Sequence, residues 1–116
     1  METKNALIRS TFLGFEDHGI FTFSIGLDYG GSGQSAGGYA LDSRNKETQK
    51  KQGYAYAIDL ISEILNVVGV DTWEDLKGKN IRVMATYDKV IAIGNLLNDK
   101  WLNFSDFYAA HKEVTP

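Results

Sequence analysis

Between residues 21 and 29 apolar and polar positions alternate without a break. Phe21, Phe23, Ile25, Leu27 and Tyr29 share one side, and Thr22, Ser24, Gly26 and Asp28 the other. A period of two over this length predicts a strand with one buried face. Residues 5–15 alternate more loosely but are rich in β-branched and aromatic types, which suits a strand. Glu16-Asp17-His18-Gly19 supplies the turn between them, so the two runs predict an antiparallel hairpin. A second hairpin is expected further on. Ile81, Val83 and Ala85 alternate with Arg82, Met84 and Thr86, Tyr87-Asp88-Lys89 reverses the chain, and residues 90–97 return before Asn98-Asp99-Lys100.

The period changes between residues 53 and 68. Tyr54, Ala57, Ile58, Ile61, Ile64, Leu65 and Val68 recur at three- and four-residue spacing, opposite Asp59, Ser62, Glu63 and Asn66. That pattern predicts one long amphipathic helix, ended by Gly69 with Val70 packing back on its last turn. Residues 72–78 read as a single helical turn capped by Thr72 and stopped by Gly78. In the tail, Trp101, Phe104, Phe107 and Tyr108 fall at helix-like spacing around a Ser105 cap. Residues 42–52 contain no apolar side chain and predict a solvated, mobile loop. The predicted order is β-β-(β)-α-β-β, the bracketed strand covering residues 37–41. The fold class is α+β: a mostly antiparallel sheet from two β-hairpins, with the helix packed on one face. Whether the hairpins join one sheet or close towards a barrel stays open at this point.

A chain of 116 residues has room for one domain. Its net charge of −3 argues against a general nucleic-acid binder, which carries a basic excess, but leaves room for a local basic patch. With no cysteine there is no disulfide, thiolate zinc site or cysteine nucleophile, and a cytoplasmic setting is expected. The N-terminus lacks the apolar core of a signal peptide, and no apolar run reaches the length of a membrane span.

Candidate chemistry concentrates in Gly30-Gly31-Ser32-Gly33-Gln34-Ser35-Ala36-Gly37-Gly38. Gly31-x-Gly33-x-x-Ala36 spells a loose dinucleotide fingerprint, but no helix follows to receive a pyrophosphate, and no Gly-Lys-Ser/Thr closes a phosphate loop. What is left is a mobile loop rich in backbone N–H groups, carrying Ser32, Gln34 and Ser35 and rimmed by Tyr29 and Tyr39. Such a loop is either an anion-binding nest or shape-adapting contact, or a crossover where another backbone approaches closely. Asp28 and Asp42 flank it and read as turn or capping carboxylates rather than calcium ligands, so no metal is expected. His18 and His111 lack a selected nucleophile among Ser10, Ser24 and Ser32, and no catalytic residue is assigned. Arg44, Lys46, Lys50 and Lys51, with Lys77, Lys79 and Arg82, read as solvated charge, or as a phosphate-binding set if Tyr39 or Trp73 stacks a base beside them. Trp73 and Trp101 read as core anchors.

Four segments carry a resemblance: residues 16–22 (EDHGIFT), 28–34 (DYGGSGQ), 37–42 (GGYALD) and 73–79 (WEDLKGK). They are similar to a family of small proteins encoded by bacteriophages and prophages, over about residues 7–101. The resemblance implies an accessory protein acting in the bacterial host, and it supplies no catalytic residue. The resulting expectation is a non-enzymatic binding protein that antagonises a host anti-phage defence system. It would occupy a host protein surface or sequester a small anionic nucleotide, without a cofactor. Tyr29, Gly31, Ser32, Gly33, Gln34, Ser35, Tyr39 and Arg44 would line the contact. The alternative is a single-strand nucleic-acid-binding accessory protein. A homo-oligomer is expected as well, because two hairpins leave sheet edges to be covered.

Overall fold

The computed structural model describes residues 2–111. Strand β1, Glu2–Phe15, is the axis of the molecule. Its C-terminal half pairs with β2, Phe21–Asp28, from Phe15↔Phe21 to Leu7↔Asp28. Its N-terminal half pairs on the other side with β6, Asn80–Ala85, from Glu2↔Ala85 to Leu7↔Asn80. The register shifts between Ile8 and Ser10, so Arg9 is an extra residue that turns the backbone of β1 from one neighbour to the other. Just before the bulge, the Ile8 N–H donates to the Lys79 carbonyl and the Ile8 carbonyl accepts from Gly78 N–H, both at 2.8 Å.

Strand β7, Val90–Gly94, and β8, Trp101–Asn103, extend the sheet past β6, and β3, Gly33–Ala40, extends it past β2. The order is β3-β2-β1-β6-β7-β8, antiparallel throughout. The two expected hairpins therefore join in one sheet, and the α+β class holds. Helix α1, Ala57–Val68, and helix α2, Phe104–His111, pack on its inner face, where Phe23, Ile25, Leu27, Ile81, Val83 and Ile93 meet Leu60, Ile64, Val67 and Phe104.

Several finer expectations change. The glycine-rich run is not a loop: residues 33–40 are strand, and the turn shrinks to residues 29–32, where Tyr29 N–H donates to the Ser32 carbonyl. Glycine hides this strand because it serves a bulge. Gly37 and Gly38 have φ of 110° and 82° where the β2–β3 register shifts. The 42–52 segment is not an unstructured loop but a small hairpin of β4, Asp42–Arg44, and β5, Lys51–Gly53. Its polar turn holds together through Asn45, whose side-chain oxygen accepts from Glu47 and Thr48 N–H. The buried stripe of α1 is Leu60, Ile64, Val67 and Val68, and Ile58 is 76% exposed. The helix also starts later, at Ala57, because residues 51–53 belong to β5. The 3₁₀ turn Trp73–Leu76 is capped by Thr72 as expected. In the tail, a strand precedes the helix, and the cap is Asn103, which accepts from Asp106 N–H at 3.0 Å, not Ser105.

The sheet is strongly curled. Gln34 on β3 reaches the β6–β7 turn and donates to the Thr86 and Tyr87 carbonyls at 3.0 and 3.2 Å. At the other end of β3, α2 lays Phe104 and Tyr108 against Tyr39, with ring centroids 5.3 and 4.9 Å apart.

Candidate functional site

The eight residues expected to line a contact do not form one surface. Tyr29 and Gln34 are joined to each other: the Tyr29 hydroxyl donates to Gln34 Oε1 at 2.6 Å, and the Lys4 ammonium sits 4.7 Å from the Tyr29 ring centroid. With Gln34 also bonded to the β6–β7 turn, this pair holds the curl of the sheet. Tyr39 belongs to the aromatic cluster of Phe23, Phe104 and Tyr108. Gly31 and Ser32 lie at the exposed turn, and Gly33 and Ser35 pair with Asp28 and Gly26 on the exposed start of β3. Arg44 stands apart on β4, where it donates to the Gln49 carbonyl at 2.7 Å.

At the turn itself, the Gly30 N–H donates to the Asp28 carboxylate at 2.8 Å. A carboxylate already occupies the amide that an anion nest would offer, and its charge repels a second anion. Asp42 likewise accepts the Phe21 N–H at 2.9 Å. Among the described residues no three His, Cys, Asp or Glu side chains cluster as metal ligands. Of the basic set, Arg82 is engaged. Its guanidinium donates to the Asn95 and Asn98 carbonyls at 2.7 and 2.8 Å and stacks 4.8 Å from the Trp101 ring. Trp101 in turn lies over Gly94, where an added Cβ would meet the indole at 2.6 Å. Trp73 packs edge-on to Phe23, which makes it the core anchor that its composition suggested.

The surface with binding character lies elsewhere. Beyond the reach of the core, the inner face of the β1–β2 arm continues as Leu13, Phe15 and Phe21, since Leu13 pairs with Phe23 and Phe15 with Phe21. Opposite stands the first turn of α1. Between them runs a groove of ≈ 470 Å³, walled by Leu13, Phe21, Tyr54, Ala57, Ile58 and Ile61. Leu13 and Phe15 keep 38% and 57% of their surface in solvent, and Phe15 meets Phe21 edge-on at 5.0 Å. Exposed apolar side chains grouped in a concavity mark binding surfaces, whereas scattered ones do not.

The groove has a polar rim. Lys51 bonds the Gly19 carbonyl, lies 4.0 Å from the Asp42 carboxylate and 5.2 Å from the Phe15 ring centroid, and so holds the tip of the arm against β5. The rest of the β4–β5 hairpin, beyond the groove lining, carries Arg44, Lys46 and Lys50 with Glu47 as its one acidic residue, a basic segment in an acidic chain. Sequence periodicity missed this site because Leu13 and Phe15 fall in a loosely alternating strand whose buried face it does not assign, and Ile58 reads as part of the helix stripe. The signal was that the apolar alternation outruns the length one short helix can cover.

Near the second helix, the single Tyr56 hydroxyl proton goes to the Ala40 carbonyl at 2.8 Å, so across the 3.2 Å bond between the two tyrosines Tyr108 donates and Tyr56 accepts. Burial raises the pKa of Tyr39, Tyr56 and Tyr108, and Tyr108 is raised furthest, with the Tyr56 hydrogen bond adding to burial. The Tyr56 and Tyr108 hydroxyls are structural donors at neutral pH. Among the described residues no helix is long and apolar enough to cross a membrane. Compared with protein-family models and with curated proteins, the chain matches none.

Proposed function

We propose that the protein acts by binding another protein. Its apolar groove takes an apolar side chain of the partner, and the basic β4–β5 hairpin meets acidic residues flanking that side chain. The observation that carries this reading is Ile58. It stands 76% exposed on the first turn of α1, facing Leu13 and Phe21 across the groove. An isolated helix surface gains nothing from an isoleucine there, whereas a bound side chain gives it about 25 cal/mol for each Å² it buries. The surrounding charge adds selectivity and a faster encounter rather than bulk affinity.

The resemblance to phage and prophage proteins would make the partner a host protein, and a component of an anti-phage defence system is the reading carried forward from the sequence. Sequestration of an anionic nucleotide by the glycine turn draws less support, because Asp28 already fills the amide there. Capture from infected-cell lysate by wild type, Ile58→Glu and Ser32→Ala tests both. The expected result is one captured protein, retained by Ser32→Ala and lost with Ile58→Glu. Capture indifferent to Ile58→Glu, or a co-purifying nucleotide lost with Ser32→Ala, would overturn the groove.

A further inference from the structure

Among the described residues the sheet has three stretches of unpaired edge, and they are not equivalent. Strand β8 is only 3 residues long, which protects it. Strand β3 is broken by Gly37 and Gly38 at positive φ, and Gln34 ties it to the β6–β7 turn. The third is β1 beyond its bulge. Past Ile8, no strand among the described residues pairs with β1 on the side away from β2.

Hydrogen-bond alternation identifies the free groups. Glu16 donates to the Ile20 carbonyl and accepts from Gly19 N–H, so its backbone faces into the hairpin. Counting back by two, Gly14 and Phe12 face β2, and Thr11, Leu13 and Phe15 turn their N–H and C=O outward. Ile8, across the bulge, also points outward, to Lys79 and Gly78, which agrees with this phase. Residues 10–15, Ser-Thr-Phe-Leu-Gly-Phe, carry no charge and no proline, the usual guards of an exposed edge.

We infer that this edge pairs with the same edge of a second copy, antiparallel about a two-fold axis through Leu13, forming a dimer with one continuous sheet. The occupant follows from self-complementarity. Opposed residues in an antiparallel pair lie on the same face, so a two-fold axis normal to the sheet places one residue opposite its own copy. With Leu13 on the axis, all three outward residues find partners: Leu13 with Leu13 of the second copy, and Thr11 with Phe15 in each direction. Centring on Phe12 pairs only Thr11 with Leu13 among these and leaves Phe15 opposite Arg9 at the bulge.

The Leu13 register also matches the side chains. On the outer face, Phe12 faces Gly14 of the second copy; its ring already lies over its own Gly14, 3.4 Å from the position of an added Cβ. At the ends, the backbone of Arg9 comes level with that of Asp17, with Glu16 adjacent, twice per dimer by symmetry; within one copy the Arg9 guanidinium lies over β3, 3.7 Å from the position of an added Cβ on Gly33, and pairing requires it to turn to the edge. The arm is thus basic at one end and acidic at the other, and opposite charges meet only in the antiparallel arrangement. Leu13 belongs to both the edge and the groove wall, but the inference does not rest on the binding groove, because it is argued from the backbone of β1 and Ile58 and the β4–β5 hairpin take no part in it.

Sedimentation of the full chain over a concentration series tests the dimer, and cysteine cross-linking tests the register, since the chain has no native cysteine. Wild type is expected to sediment as a dimer. Opposed Cα atoms in a hydrogen-bonded pair are about 5.5 Å apart, inside the span of a disulfide, so Leu13→Cys is expected to cross-link on mild oxidation. Thr11→Cys alone is expected not to, whereas mixing Thr11→Cys with Phe15→Cys restores the bridge. Arg9→Asp is expected to weaken the dimer at least tenfold, and Arg9→Asp with Asp17→Arg to restore it, which a purely structural role for Arg9 would not produce. A monomer at all concentrations overturns the proposal. So does a dimer in which Thr11→Cys cross-links and Leu13→Cys does not, or one unmoved by the charge swap. Because Leu13 is already part-exposed, circular dichroism of Leu13→Cys is expected to match wild type, and Arg9→Asp reports independently if it does not.

Discussion

Tyr108 shows how one hydroxyl can couple folding to pH. It sits beside Tyr39 and donates to the Tyr56 oxygen, whose own proton goes to the Ala40 carbonyl, and ionising it would place a phenolate against the rings of Tyr39 and Tyr56. Its pKa is therefore raised, first by burial and then by the Tyr56 hydrogen bond, and Tyr39 and Tyr56 are raised by burial. The sign follows directly. The folded state holds these protons more tightly than the unfolded chain, whose tyrosines titrate near about 10. The contribution to stability is complete below that pH and is lost as pH rises towards the folded-state values. Alkaline unfolding should therefore begin near pH ~10, with tyrosinate absorbance appearing together with the loss of secondary structure. Tyr108→Phe should cost about 0.5–1.5 kcal/mol at neutral pH through the lost hydrogen bond, yet move the alkaline midpoint upward. An alkaline midpoint unchanged by Tyr108→Phe would show that other groups drive the transition.

Among the elements, β2 and β6 were legible because apolar and polar residues alternate strictly along them, and β1 because its looser alternation is rich in β-branched and aromatic residues. Strand β3 was legible only at its end, where the bracketed strand at 37–41 overlaps it, and Gly37 explains why the rest was not. Its φ of 110° and its place in a bulge require glycine, so the run that builds the strand spells a loop. The β4–β5 hairpin escaped notice because its pairing buries no apolar side chain, leaving periodicity nothing to report. The α1 stripe was displaced because Ile58 and Leu60 differ in burial by tertiary packing, not by hydrophobicity. Of the expected site, only Arg44 lies on the hairpin beside the groove; Tyr29, Gln34 and Tyr39 became structural because contacts distant in sequence claimed them. Gly37→Ala separates the two costs at the bulge. A Cβ there would lie 2.5 Å from the Phe23 carbonyl oxygen, whereas Gly31 has the same φ with nothing within 4 Å. Gly31→Ala should therefore lose about 1–2 kcal/mol from backbone strain alone, and Gly37→Ala a further 1–3 kcal/mol or about that from the clash. Urea melts of the two variants measure the difference, and equal losses would remove the steric argument.

At the scale of the whole molecule, the dominant fact is a long strand serving two neighbours in succession. Fourteen residues of strand span about 45 Å, close to the 47 Å longest dimension, and the other dimensions are 29 and 28 Å. An elongated sheet of this kind has its core at one end and its arm at the other. The core is sealed at the base of the arm, where α2 bridges the margins of the sheet: β8 leads into it, and its first residue, Phe104, reaches β2 and β3. Phe104 is 1% exposed, with centroids 6.3 Å from Phe23 and 5.3 Å from Tyr39. Truncating such a ring costs about 3–5 kcal/mol, a large share of the roughly 5–15 kcal/mol that holds a domain. The loss should not spread evenly. Strand β1 is clasped on both sides and β6 lies beside it, whereas β3 depends on β2, on Gln34 and on α2. Phe104→Ala should therefore release β3 amides to hydrogen exchange well before those of β1 and β6, while the β1–β2 arm keeps its wild-type protection. Uniform acceleration across all six strands would show instead that the sheet opens as one unit and that α2 is not its seal.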